Sequence, residues 1–367
     1  GSSVIISRSP ILATSLIFAL LLFSALSKVG NIIVYVFFLV VPLWYLLTGI
    51  RVWDFPKKLM PLAVCLLFFV IYSSFFSANL LTHLIYSCLY CSCLLITLFA
   101  YRFPEQAVLL MVYLAIATSG LVWTAILVGQ DVVGFFINAG FDTNYSGYLL
   151  VAGIFALSRF TVYRASVSRL LILMMLIAGL LLVSRSFILL MVCLCFLTVW
   201  EKARYGKFFL GILVLSVAYF LINYLAENQA LFLALTAAVT GEVELGGLVE
   251  DRRRIELFAT GIRAVKEFIP FGTGMGPENY KAAVLDAGLV TSSTFRLGYP
   301  HNYFISGIAQ AGIAGVIFIA YLVKIGISAR KDFPVIGALL IGLAFNEYIG
   351  ITVLWIYFGL YFNENFG

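Results

Sequence analysis

Arginine is the residue type whose placement in this chain points most directly to chemistry. Arg252, Arg253 and Arg254 form a run inside the long polar interval 227–301 of an otherwise apolar sequence, and Arg185 separates two apolar runs. A guanidinium group carries a rigid fork of N–H donors that matches phosphate. An arginine between apolar runs needs a polar partner, an aqueous cavity or a position at the interface. These residues predict an anion-binding site, and snorkelling of Arg185 is the alternative.

The segment after the arginine run has the spacing of an amphipathic helix. Its apolar positions recur every three or four residues: Ile255, Phe258, Ile262 and Val265. The run would then occupy the N-terminus of this helix, where free N–H groups and the helix dipole favour an anion. We predict Arg254, which adjoins the helix, as the phosphate ligand among the three. The alternative is a solvated charge run, partly neutralised by Glu250, Asp251 and Glu256.

Two further titratable residues are candidates. His301, one of two histidines, precedes an apolar run and suits proton transfer near neutral pH, although a structural hydrogen bond is the alternative. His83 is interpreted as structural. Glu347, in the weakly apolar region after residue 335, is either a functional carboxylate or an ion-pair partner for Arg185 or Arg254.

The sequence lacks the motifs that would indicate other catalytic chemistries. The sequence has no Asp-x-Asp pair and no Cys/His cluster with ligand spacing, so no metal site is predicted. It has no P-loop, and no cofactor is expected. The stretch 271–276, with three alternate glycines, is interpreted as a turn that shapes the loop. Arginines together with one base suit a substrate that brings its own leaving group, such as a lipid diphosphate.

The composition places these residues on a membrane protein. The chain has 367 residues, of which 63% are hydrophobic and 11% charged, with a net charge of +6. An ordinary soluble domain is about 25% charged. We therefore predict an all-α polytopic membrane protein, and no nucleic-acid partner is expected.

Twelve apolar runs are predicted to cross the membrane: 10–25, 31–47, 60–76, 83–100, 107–128, 145–157, 170–183, 187–200, 208–225, 303–325, 335–345 and 349–361. The last two could also form one broken hairpin. The predicted organisation is helices one to nine in 1–225, a helical loop in 226–301, and helices ten to twelve in 302–367. With both termini in the cytoplasm, every inward turn is basic and the short outward turns hold only Lys28 and Arg185. The large loop and the site would then face the periplasm.

With these features the chain resembles the O-antigen ligase and O-antigen polymerase superfamily of bacterial envelope glycosyltransferases. Three short motifs carry the resemblance, in the order and spacing of that superfamily. They are Ser184-Arg185-Ser186, the arginine-led helix that closes with Pro270-Phe271-Gly272-Thr273-Gly274, and His301-Asn302 followed by Gly312 and Gly315.

The resemblance implies an inner-membrane enzyme that uses an undecaprenyl-pyrophosphate-linked oligosaccharide as donor. Arg185 and Arg254 would clamp the diphosphate, and His301 would act on the acceptor hydroxyl, in an inverting reaction without a metal. The expected substrate-binding residues beside them are Arg252, Arg253, Tyr299, Asn302 and Glu347. The acceptor would be a lipid-linked glycan or lipid A-core, and the expected partners include membrane lipids and a chain-length regulator.

The sequence is compatible with two activities within this superfamily and with one alternative of a different class. The compact glycine-rich close of the loop favours a polymerase, which extends lipid-linked repeat units, over a ligase, which transfers the glycan to lipid A-core. A transporter or flippase for a lipid-linked oligosaccharide is the alternative of a different class. That alternative predicts internal repeats and charges at mid-membrane, whereas the candidate charges here cluster on one side.

Overall fold

The computed structural model describes residues 55–139, 141–160, 162–182, 184–202, 249–290, 300, 302–344 and 352–363. The side chains of 185, 200–202, 249–255 and 352 lie outside this description. Regular structure in the described part is helical, with no strand. The helices are α1 Met60–Ser74, α2 Leu80–Arg102, α3 Pro104–Leu127, α4 Val132–Ala139, α5 Thr143–Arg159, α6 Ala165–Leu181, α7 Arg185–Lys202, α8 Val249–Phe268, α9 Pro277–Asp286, α10 Tyr303–Ala329, α11 Pro334–Leu343 and α12 Thr352–Phe362.

The predicted helical class is confirmed over this part of the chain. Six predicted runs, from 60–76 to 187–200, form α1, α2, α3, α5, α6 and α7 with ends shifted by a few residues. In the described residues three helices have the length and apolarity needed to cross a membrane, namely α2, α3 and α10. The runs 10–25, 31–47 and 208–225 lie outside the described residues, so twelve crossings remain a prediction.

Small residues set the helix contacts in the bundle. A Cβ at Gly153 of α5 would overlap Ala115 of α3, and one at Gly179 of α6 would overlap the ring of Phe187 in α7. A Cβ at Gly359 of α12 would likewise overlap the backbone of α2 at Thr97. Lipid gives helices no hydrophobic reason to associate, so close backbone approach at small residues takes that role.

The bundle has one end rich in basic residues, which we call the basic end. Contacts among residues from separate helices define it: the Phe333 ring packs on Phe155, Phe160 and Tyr361, and Asn363 Nδ2 donates to Tyr101 O at 2.6 Å. Arg102 and Arg159 end α2 and α5 nearby. The opposite end, which we call the far end, contains the turn between α1 and α2.

The helices α11 and α12 are too short to cross the bundle. Both meet the basic end, α11 beginning after Phe333 and α12 ending before Asn363. Their ten and eleven residues span about 15 Å each at 1.5 Å per residue, half of a hydrocarbon core. Ala344 and Thr352, at the inner ends of these helices, therefore both lie about 15 Å from the basic end. The predicted runs 335–345 and 349–361 form two half-length helices.

The predicted run 303–325 does not form one continuous helix, because α10 folds back on itself at Gly312. Gly312 has φ 54° and ψ −128°, outside any helix. A Cβ at Gly315 would lie 2.9 Å from Ile308 Cα, and one at Gly307 would lie 3.3 Å from Ile319 Cδ1. Residues twelve apart in a straight helix are about 18 Å apart along its axis. The segment 303–311 therefore runs beside 313–329, and we call 303–311 the re-entrant segment.

The loop helix α8 exists as predicted, but it packs through a different face. Its buried stripe is Leu257, Thr260, Gly261 and Ala264, whereas Phe258, Ile262 and Val265 are half-buried. Gly261 decides this orientation, because a Cβ there would lie 2.6 Å from Pro300 Cβ and 2.8 Å from Ile305 Cγ2. The absence of a side chain at Gly261 lets α8 approach the re-entrant segment closely, whereas a larger side chain at this position would prevent the contact.

Candidate active site

The glycine-rich turn after α8 joins the loop to the break in α10. In an unbroken helix Ile313 N would donate to Ala309 O. Instead Thr273 N donates to Ala309 O at 3.0 Å, and Ile313 N donates to Pro270 O at 2.8 Å. Gly274 N donates to Gln310 O at 2.9 Å. The turn thus satisfies the backbone groups that the fold-back at Gly312 frees.

Glycine is required at each corner of this joint. Gly272, Gly274 and Gly276 have φ of 89°, 86° and 97°, where residues with a Cβ are strained. A Cβ at Gly272 would overlap Gln310 O, and one at Gly312 would overlap Pro270 O. Gln310 completes the joint, since its Oε1 accepts from Gly276 N at 2.9 Å and its Nε2 donates to Ser306 Oγ at 2.6 Å. The predicted turn is therefore a packed joint between the loop and the bundle.

The short helix α9 is hydrogen-bonded to the turn between α1 and α2 and to the start of α2. Glu278 Oε2 accepts from Asn79 Nδ2 and Thr82 Oγ1, both at 2.7 Å. Asn279 Oδ1 accepts from Asn79 N at 2.6 Å, and its Nδ2 donates to Asn79 O at 3.1 Å. Asn279 is 1% exposed. These bonds fix the loop to the far end of the bundle.

The structural interpretation of His83 agrees with its surroundings. The ring is 3% exposed, with Nδ1 3.1 Å from Ser77 Oγ and Nε2 3.1 Å from Ser87 Oγ. Both ring nitrogens therefore have hydroxyl partners within the bundle, as expected for a structural histidine.

The re-entrant segment begins deep in the bundle. Asn302 caps it by accepting from Ile305 N at 3.0 Å, and its Nδ2 donates to Ala344 O at 2.7 Å. Ala344 follows α11, about 15 Å above the basic end. The next residue, Tyr303, bonds Tyr90 near the middle of α2, with the two hydroxyls 3.0 Å apart. Asn302 was predicted on the outer side, but it lies at mid-bundle.

The start of α7 meets the start of α5 through polar side chains. Ser184 Oγ caps α7 by accepting from Phe187 N at 3.2 Å. The Oδ1 atom of Asn144, the second residue of α5, lies 3.4 Å from Ser184 Oγ and 3.2 Å from Ser186 Oγ. Both serines are buried, at 1% and 7% exposure. The N-termini of α5 and α7 therefore lie side by side around residue 185, and Asp142 Oδ1 caps α5 by accepting from Asn144 N at 2.7 Å and from Tyr145 N at 3.1 Å.

The helix α11 connects this pair of N-termini to Asn302. A Cβ at Gly342 would lie 2.9 Å from Leu190 Cδ2 and 2.9 Å from the Tyr148 ring. Tyr148 is one turn after Asn144, and Leu190 is about one turn after Ser186. Two residues after Gly342, Ala344 binds Asn302. Asn302 and the residues one turn after Asn144 and Ser186 thus meet at the inner end of α11.

The structure describes the backbone of some predicted site residues and leaves others outside the described part of the chain. Arg185 is the first residue of α7, and Arg252, Arg253 and Arg254 are the fourth to sixth residues of α8. The helix therefore starts before the arginine run, and the run does not form its first turn as predicted. The side chains of these four arginines, and all of Tyr299, His301 and Glu347, lie outside the described residues.

Sequence reasoning missed Asn144 and Gln310. Neither residue is charged, and neither belongs to one of the three motifs. Each is an uncharged amide inside or at the end of an apolar helix, and that isolation was the available signal.

An apolar groove with a volume of about 320 Å³ lies beside Asn302 between α7, α10 and α11. Its lining residues are Leu197, Phe304, Val323, Gly326, Ile327, Arg330, Gly337, Leu340, Ile341 and Ala344. It extends from Ala344, the partner of Asn302, to Arg330 near the basic end.

In comparison with known families, residues 170–320 match the family described as O-antigen ligase. The match includes Arg185, the arginine run, the glycine-rich turn and His301-Asn302. Over residues 170–320, this match supports the resemblance to the O-antigen ligase and polymerase superfamily that the motifs indicated. The described part of the chain also contains three helices that are long and apolar enough to cross a membrane. No curated protein matches the chain.

Proposed function

We propose that the protein transfers an oligosaccharide from a polyprenyl diphosphate to a sugar hydroxyl on the side of the membrane that the far end of the bundle faces. The observation that carries this proposal is that Asn302 and the early turns of α5 and α7 meet at the inner end of α11, while the Ser-Arg-Ser and His-Asn elements both lie in the 170–320 range that matches the O-antigen ligase family. Arg185 and one residue of the arginine run hold the diphosphate. The far end faces the periplasm, because the basic turns lie at the other end.

The reaction is a displacement at the anomeric carbon. The acceptor oxygen forms a bond to that carbon as the bond to the diphosphate oxygen breaks, and the configuration inverts. His301 takes the acceptor proton, and the arginines stabilise the negative charge that develops on the departing diphosphate. The lipid product is the polyprenyl diphosphate, and Asn302, which caps the re-entrant segment, fixes the backbone next to His301.

The depth of Asn302 supports a lipid-linked donor. A site that begins about 15 Å above the basic end lies within the hydrocarbon core, where a membrane-embedded substrate can reach it from the side. The apolar groove beside Asn302 offers a path for the polyprenyl chain. A soluble nucleotide sugar has no comparable need for a site at that depth.

Between the two activities we favour the polymerase, with lipid-linked repeat units as both donor and acceptor. The compact joint at Gly272–Gly276 supports it, because it holds the loop against the bundle and leaves a short span to Pro300. A ligase that uses lipid A-core is the second candidate, and the description of the matching family favours it.

The test combines a genetic and a biochemical readout. In a deletion strain, a surface glycan reduced to one repeat unit on lipid A-core indicates a polymerase. Loss of all glycan from the core, with lipid-linked polymer accumulating, indicates a ligase. Purified protein should release polyprenyl diphosphate from a glycosylated donor, and Arg185→Ala should slow this release about 100-fold or more. Full activity of Arg185→Ala, with Arg169→Ala as the basic-end control, would contradict the proposal.

A further inference from the structure

The first residue of the re-entrant segment is tied to α2 by a pair of buried hydroxyl groups. Tyr303 Oη lies 3.0 Å from Tyr90 Oη, and each side chain is 4% exposed. One hydroxyl donates and the other accepts, and among the described residues no second hydrogen-bond partner is recorded for either. A buried hydroxyl that loses its partner is destabilising, so each of the two depends on the other.

Aromatic packing holds the Tyr90 ring in place. Its centroid lies 5.0 Å from that of Phe69 in α1 and 6.3 Å from that of Phe318 in α10. The rings of Phe69 and Phe318 are themselves 5.1 Å apart, and both are buried. A ring that is packed between two other helices has little freedom to move. The Tyr90 hydroxyl is therefore a fixed point near the middle of α2, and Tyr303 reaches it only if the re-entrant segment begins at that depth.

Two consecutive residues fasten the start of the re-entrant segment to two separate helices. Asn302 Nδ2 donates to Ala344 O at the inner end of α11, and Tyr303 bonds Tyr90 in α2. His301 comes directly before this doubly fastened pair in the chain. A catalytic group that is misplaced by about 1 Å can lose about 100-fold in rate, so the position of this backbone matters for a base at residue 301.

We propose that Tyr90 is a positioning residue for the transfer reaction, because it holds Tyr303 and with it the backbone that carries His301. This inference rests on the proposed function and adds to it a residue outside the 170–320 family region. Tyr90 neither contacts the substrate nor transfers a proton in this role. Its hydroxyl fixes where the re-entrant segment begins.

A purely structural role and a positioning role predict different results for three variants. Tyr90→Phe and Tyr303→Phe each leave one buried hydroxyl without its partner, whereas the double variant removes both hydroxyls. In either role the double variant should therefore be at least as stable as the single variants. Only a positioning role lowers the rate per folded protein. It should do so equally in all three variants, because the two hydroxyls act as one unit.

The experiment measures kcat and KM of the purified full-length protein with the lipid-linked repeat unit that is isolated from a strain lacking the protein. We expect the two single variants and the double variant each to lower kcat about 10-fold, with KM within about twofold of the wild type, because the ligands of the diphosphate are unchanged. Tyr357→Phe is the matched control. It removes a buried hydroxyl that donates to Ala152 O at 2.5 Å elsewhere in the bundle, and it should keep the wild-type kcat.

Hydrogen exchange of the backbone gives a second readout that does not depend on activity. Ile305 N donates to Asn302 Oδ1 at 3.0 Å, so a looser start of the re-entrant segment should speed the exchange of this amide. Peptides that cover residues 302–311 should exchange about 10-fold faster in Tyr90→Phe than in the wild type. Their exchange should be unchanged in Tyr357→Phe.

The outcomes separate this inference from the proposed function. A wild-type protein that releases no polyprenyl diphosphate would overturn both. An active wild type, with the same kcat in Tyr90→Phe as in Tyr357→Phe, would overturn the inference alone, and so would unchanged exchange of residues 302–311 in Tyr90→Phe. Rate losses that multiply in the double variant would also overturn it, because the two hydroxyls would then act separately.

Discussion

Two regions where the backbone leaves a helix differ sharply in how their polar groups are used. At the joint between residues 270–276 and the break at Gly312, backbone donors and acceptors pair with each other and Gln310 completes the set. At the meeting of α5 and α7, side chains cap the helices: Asp142 Oδ1 accepts from Asn144 N and Tyr145 N, and Ser184 Oγ accepts from Phe187 N. The first region is closed by backbone groups from a distant part of the chain, and the second is closed by side chains close in sequence.

The contrast changes the meaning of the glycine-rich stretch. Alternate glycines near arginines resemble a phosphate-binding loop, in which backbone N–H groups remain available to the ligand. Here the N–H groups of Gly272, Thr273, Gly274 and Gly276 donate within the protein. Glycine serves close backbone approach in this joint, and the candidate ligands of the diphosphate lie elsewhere.

The largest effect that tests this contrast is expected at Gly312. In Gly312→Ala the new Cβ would overlap the Pro270 carbonyl at a positive φ, so we expect a loss of several kcal/mol and little folded protein. Gly288→Ala is the matched control. Gly288 also has a positive φ, 67°, but no atom lies within 4 Å of its Cβ position, so about 1 kcal/mol is expected.

Thermal unfolding in detergent and yield of monodisperse protein measure both variants. If Gly312→Ala is as stable as Gly288→Ala, the fold-back of α10 is not a required feature of the joint. The depth assigned to Asn302 would then lose its support as well.

Much of the helical framework could be predicted from the sequence. Apolar runs such as 83–100 and 107–128 form α2 and α3 because their length and composition alone determine a helix in lipid. The depth of Asn302 could not be predicted in this way. It depends on the break at Gly312 and on the hydrogen bond from Ile313 N to Pro270 O, about forty residues earlier. Residues 303–325 by themselves have the composition of a crossing helix.

The buried face of α8 shows a second limit of prediction. The apolar spacing favoured Ile255, Phe258, Ile262 and Val265, yet Gly261 and its neighbours pack against Pro300 and Ile305. Apolar spacing alone does not identify the packed face here, because a close approach between α8 and the re-entrant segment requires a residue without a side chain at the contact. For the candidate site, the motifs located the Ser-Arg-Ser and His-Asn elements, but Asn144 required the contact with Ser184.

The two histidines give the next largest expected effect. His301→Ala should lower the transfer rate by about 100- to 10,000-fold with an unchanged unfolding temperature, because it removes the proposed base. His83→Ala should leave the transfer rate nearly unchanged and lower the stability of the fold. It removes two hydrogen-bonded ring nitrogens from a buried site and should lower the free energy of unfolding by about 1–3 kcal/mol.

The measurements for both histidine variants are the transfer rate per folded protein and the free energy of unfolding. His83→Ala should leave that rate within about twofold of the wild type, since its ring contacts serines of α2 and of the preceding turn. A rate loss in His83→Ala as large as in His301→Ala would remove the distinction between a structural and a catalytic histidine.

The smallest expected effect concerns Gln310, which belongs to the joint. Gln310→Leu keeps the size of the side chain but leaves Gly276 N and Ser306 Oγ without their partner. An unpaired buried donor costs about 1–3 kcal/mol, so the unfolding free energy should fall by that amount. The transfer rate should fall only severalfold, because Gln310 touches no substrate in the proposed site. Gln130→Leu, at an exposed turn, is the control and should change neither quantity. A rate loss of 100-fold in Gln310→Leu without loss of stability would place the joint within the active site.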